Sequence, residues 1–114
     1  MPRLYAQGDI LLERVNDAPV SGQILHARDV ATLVVAEGEL TGHHHKIFGC
    51  ATLFRDDALA RDIPDNLYIG HLQVRGTGAR LEHDEHAPIN LTLGTYRVRR
   101  QRQLEPSDIG VVGD

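Results

Sequence analysis

Histidine is concentrated in two short stretches of this 114-residue chain. Thr41-Gly42-His43-His44-His45-Lys46 carries three in a row, and Glu82-His83-Asp84-Glu85-His86 carries two more among three carboxylates. Neutral imidazole is a good ligand for Zn, Fe, Mn, Ni or Cu. A neighbouring carboxylate can ligate as well, orient the rings or carry protons. If the triple-histidine stretch is extended, alternation puts His43 and His45 on one face and His44 on the other. Their bases then stand about 7 Å apart, near enough for both rings to meet one ion. A third ligand must come from elsewhere, and His83, His86 and His71 are the candidates. Three His, or two with a carboxylate, would bring a zinc-bound water to a pKa of about 7. Two His and one carboxylate with open positions would also suit non-haem iron. The expected metal set is therefore His43, His45, His71, His83 and His86, with Glu82 and Glu85 as proton carriers. Zinc fits first, with Fe, Mn or Ni as alternatives. A plainer reading also fits the residues: surface imidazoles that hold no ion and titrate near pH 6 to 7.

The elements that would position these residues are strands. Eleven Gly and five Pro cut the chain into short pieces, and helical periodicity is confined to residues 56–62, where Pro64 stops it. Strands are expected over 9–15, 23–27, 32–37, 40–48, 51–54, 67–75, 79–83, 89–93 and 95–102. Gly76-Thr77-Gly78 reads as a hairpin turn, and Gly94 as another. His71 falls inside the 67–75 strand, and His26 reads as structural. Strands this short and frequent predict an all-β chain, a small single-domain β-barrel or sandwich of mostly antiparallel strands. The domain is expected over 1–103, with 104–114 as a C-terminal tail.

Composition narrows the function classes. Twelve basic against sixteen acidic residues give a net charge of −4, which argues against general nucleic-acid binding. A single Cys excludes an intramolecular disulfide and any multi-Cys metal site; Cys50 is expected to be a small buried side chain. No apolar run approaches the roughly 20 residues of a membrane helix, and the first residues carry no signal-peptide pattern. A cytoplasmic protein without membrane partners is expected. Arg97, Arg99, Arg100 and Arg102 form a basic burst that could bind an anion, but is expected to neutralise the 82–85 carboxylates or to solvate an edge strand.

Three segments carry a resemblance. Gly8 to Leu12, Glu37 to His45 and His83 to Arg102 resemble segments of short bacterial and phage-borne proteins. Those proteins share a Gly-Asp-Ile/Val-Leu-Leu start, a Glu-Gly-Glu-x-Thr-Gly-His-x-His segment and a His-x-x-His-x-Pro-Ile-x-Leu-x-x-Gly-x-Tyr stretch. That resemblance implies no particular activity. The chain also resembles cupins, in Gly42 ahead of the His43/His45 pair and in the Leu93-Gly94-Thr95-Tyr96 turn. The cupin resemblance implies a metal held inside a β-barrel. Here, though, no His follows Gly94, so His83 or His86 would have to supply that ligand.

Two functions follow as expectations. One is a metal-dependent enzyme that activates water for hydrolysis or hydration of a small substrate. The other is a non-catalytic module, stabilised by metal or free of it, that serves an assembly. A homo-oligomer is compatible with exposed strand edges.

Overall fold

The computed structural model describes residues 4–26, 30–33, 45–83 and 86–101. Among the described residues eight strands follow one another: β1 (Leu4–Gln7), β2 (Ile10–Val15), β3 (Gln23–His26), β4 (Val30–Leu33), β5 (His45–Arg55), β6 (Tyr68–His83), β7 (His86–Leu91) and β8 (Gly94–Arg100). A 3₁₀ turn, Asp57–Leu59, separates β5 from β6. Asp56 caps it, its carboxylate accepting from the Ala58 amide. The all-β expectation and the one helical turn within 56–62 are both borne out.

All described pairings are antiparallel, and the main path of the sheet runs β1-β2-β8-β6-β5-β3, with β4 added to β5 and β7 to β6. The sheet is not closed into a barrel. It folds instead. β6 has 16 residues, which at about 3.3 Å each would reach roughly 53 Å if straight, whereas the longest dimension of the molecule is 36 Å. The bend falls at Gly76 and Gly78, both at positive φ, opposite a register shift between Gly49 and Ala51 in β5. On one side of the bend β6 lies between β8 and the second half of β5. On the other side it lies between β7 and the first half of β5.

This corrects the expected hairpin at Gly76-Thr77-Gly78. Two glycines permit positive φ, which can serve a bulge as well as a reversal. Here the pairing partners on both flanks keep the strand running forward. The expected strands over 51–54 and over the described end of 40–48 likewise join into the single strand β5. β1 is an addition, paired with β2 across the two-residue Gly8-Asp9 loop. Gly8 has φ of +57°, as the first central position of a type II′ turn requires.

The two arms enclose one core. Ile10, Leu12, Ile47, Leu72, Leu81, Tyr96 and Val98 are wholly buried there. As the scarcity of aromatics suggests, aliphatic side chains dominate it; Tyr96 is satisfied by donating to the Thr92 carbonyl at 2.7 Å. The reverse face of the sheet is covered too. Ala60, Ile63 and Leu67, from the connection between β5 and β6, pack with Tyr68.

Arg97 fastens this covering segment through Asp62, at 2.8 and 2.9 Å, and also meets Glu13 at 2.6 Å. β8 lies between β2 and β6, so Arg97, Arg99 and Arg100 are not on an edge strand, and Arg97 pairs with Asp62 and Glu13; Arg102 lies outside the described residues. Cys50 is exposed, contrary to expectation; it lies at the register shift between Gly49 and the buried Ala51. Among the described residues no helix is long and apolar enough to cross a membrane. The expected tail, 104–114, lies outside the described residues.

Candidate metal centre

The hairpin loop between β1 and β2, the start of β5, the end of β6 and the start of β7 meet at one end of the sheet. His45, the first residue of β5, is wholly buried. Its ring lies 4.5 Å, centroid to centroid, from that of His83, and His83 lies 4.8 Å from His86. His83 and His86 are register partners across the β6–β7 hairpin, so the short connection forces their side chains together. Lys46 pairs with Glu82 in the β5–β6 ladder, and this brings His45 alongside His83.

Two residues absent from the sequence expectation complete the cluster. His45 Nδ1 lies 2.9 Å from Gln7 Oε1, and His45 Nε2 lies 3.0 Å from Asp9 Oδ1. Gln7 is itself wholly buried. Its amide nitrogen donates to the Leu81 carbonyl at 3.2 Å and to the Ala87 carbonyl at 2.9 Å. Gln101 braces the loop that presents Asp9. Its backbone N–H donates to the Asp9 carbonyl at 2.7 Å, and its side chain donates to the Gly8 and Ile10 carbonyls.

Burial lowers the His45 pKa. The Asp9 hydrogen bond and charge oppose that shift, while His83 and His86 reinforce it. A neutral imidazole is the form that ligates. Asp9 keeps 37% of its side chain exposed, so the cluster opens to solvent on that side. Gly8 sits directly above the rings: a Cβ there would lie 2.9 Å from His86 Nε2 and 3.2 Å from His45 Cε1.

His45, His83 and His86 are thus brought together, and His71 and Glu82 stand apart from them. His71 pairs with Phe54, eight positions along β5 from Lys46 and on the other side of the bend. It is buried on the reverse face, stacked on Phe54, with Nδ1 2.7 Å from the Tyr68 hydroxyl. A register shift between Tyr68 and Gly70 breaks the alternation that had placed it among its neighbours. Glu82 points away from the rings, 3.4 Å from Arg80. His43 and Glu85 lie outside the described residues. The rings are tilted against one another, by 41° and 51°, and among the described residues no group of three or more ligating side chains already converges its donor atoms as an ion requires.

A cleft of about 550 Å³ opens elsewhere, lined by Ala18, Pro19, Gln73, Arg75, Leu93 and others. It includes none of the clustered histidines.

Fold and cluster together define a small antiparallel β domain with a partly buried histidine trio at one end. The chain belongs to the family of the domain of unknown function DUF8820, whose model matches residues 6–101. That span takes in Gln7, Asp9, His45, His83, His86 and Gln101. Neither the curated proteins nor the solved structures give a match.

Proposed function

We propose that this is a histidine-rich metal-binding protein whose ion is held by His45, His83 and His86, with Asp9 beside it. The supporting observation is the meeting of three imidazoles and one carboxylate from separate chain segments around a fully buried ring. Zinc suits the set best, since imidazole and carboxylate are its ordinary nitrogen and oxygen ligands; Fe, Mn and Ni share them.

The partly exposed Asp9 favours hydrolysis or hydration of a small substrate over a sealed structural site, since an open side admits a water. Bound there, the ion would supply Lewis acidity and a water of lowered pKa. Asp9 takes the proton-handling role first expected of Glu82 and Glu85.

Elemental analysis of protein purified without an affinity tag tests the reading. One zinc per chain is expected, lost in His45→Ala and kept in His44→Ala. A chain that takes up no stoichiometric ion from zinc-supplemented buffer, or a His45→Ala variant that keeps it, overturns the proposal.

A further inference from the structure

We infer that Gln7 holds His45 as its Nδ1–H tautomer and so makes Nε2 the atom offered to an ion. The identity of the ion rests on the metal reading above; the tautomer rests on hydrogen-bond geometry alone. The amide of Gln7 has only one tenable orientation. Its nitrogen faces two backbone carbonyls, of Leu81 and Ala87, and a flipped amide would set oxygen against oxygen at both. Oε1 therefore faces His45, and Oε1 can only accept. The ring atom 2.9 Å away, Nδ1, must carry the hydrogen. A neutral imidazole then has its lone pair on Nε2, and Nε2 faces the Asp9 carboxylate at 3.0 Å. Two acceptors that close repel unless a cation, a proton or a metal, lies with them. Zinc-binding histidines use this arrangement widely, with the second ring nitrogen donating to an oxygen that fixes tautomer and orientation.

The same amide does a second thing. Leu81 precedes His83 in β6 by two residues, and Ala87 follows His86 in β7. Gln7 thereby ties the ring of His45 to the hairpin that carries the other two histidines. It touches no ion and no substrate, so its role is that of a positioning residue.

Long-range ¹H–¹⁵N NMR on histidine-labelled protein reads the tautomer directly. At about pH 8, above the ordinary imidazole range, the metal-free protein should show a proton held on His45 Nδ1. Added zinc should shift Nε2 and leave the proton on Nδ1. In Gln7→Met the acceptor opposite Nδ1 is gone, so the proton should move to Nε2, where Asp9 accepts it, and zinc affinity should fall about 10- to 100-fold. Gln7→Glu keeps an oxygen opposite Nδ1 but sets its other oxygen against the Leu81 and Ala87 carbonyls, so it should retain the tautomer at a cost in melting temperature. A merely structural Gln7 would lower the melting temperature in both variants and leave the tautomer unmoved, which would overturn the inference. So would wild-type His45 with its proton on Nε2, a result that stands even if Gln7→Met fails to fold. An Nδ1–H tautomer in protein that binds no zinc would sustain the role of Gln7 and reject the metal reading instead.

Discussion

Replacing Gly8 by alanine should damage the cluster as well as the fold, and the two effects can be separated. At φ of +57° an L-residue is strained, by about 1–2 kcal/mol. For a domain of this size that corresponds to a fall in Tm of about 4–16 °C. The added Cβ would also lie 2.9 Å from His86 Nε2 and 3.1 Å from its Cδ2. An ordinary contact is about 3.5 Å or more, so the His86 ring must retreat by roughly half an ångström. Gly76 provides the control. Its φ is +63°, but a Cβ there meets nothing closer than Cys50, at 3.5 Å. Gly76→Ala should therefore carry similar backbone strain and leave the histidines alone. Thermal melts should show comparable losses for the two variants. Zinc titration with a competing chelator should show an affinity at least about tenfold weaker for Gly8→Ala, the scale on which supporting groups act, and unchanged for Gly76→Ala. If both variants bind zinc as the parent does, the space beneath Gly8 is not where the ion sits.

Two further predictions concern the scaffold. Burial lowers the His71 pKa, with Arg97 adding to the shift and Asp56 opposing it, so the unfolded chain takes up the proton more readily than the folded one. Stability should accordingly be full above about pH 6.5 and decline as the pH falls through that value toward the folded pKa; a His71→Leu variant followed by denaturant melts should have a shallower slope over that window, and an unchanged slope would refute the assignment. Leu72 is wholly buried in the core, and Leu72→Ala should cost about 2–5 kcal/mol in urea unfolding; a loss below about 1 kcal/mol would mean that the two arms do not share that core.

The sequence carried the class of fold because its signals are local. β-Branched runs, evenly scattered glycine and a lone helical stretch at 56–62 each act on their own neighbourhood. The bend in β6 was not legible in the same way. Gly76-Thr77-Gly78 allows a turn or a bulge equally, and the choice is made by β5, β7 and β8, which are far away in the chain. His71 illustrates a related limit. Alternation tells which residues share a face, but both faces of this sheet are covered, so an inward residue can belong to either side. Within the site, His83 and His86 could be paired from their spacing alone. Gln7 and Asp9 could not be joined to His45, because nearly forty residues intervene. The one available signal was the Gly8-Asp9 pair itself, a short hairpin loop whose acidic residue stands beside a glycine at positive φ.

The pairing of β2 with β8 joins the first long strand to the last. During synthesis, residues 10–15 therefore have only β1 beside them until the segment Gly94–Arg100 has left the ribosome. An arrangement of this kind folds slowly, because the widest loop must close before its contacts can form. Until then an apolar strand edge stays open to other chains. Delivery of a finished molecule should accordingly respond to chaperone supply and growth temperature, and a nascent chain arrested before residue 94 should be far more sensitive to protease than the released protein.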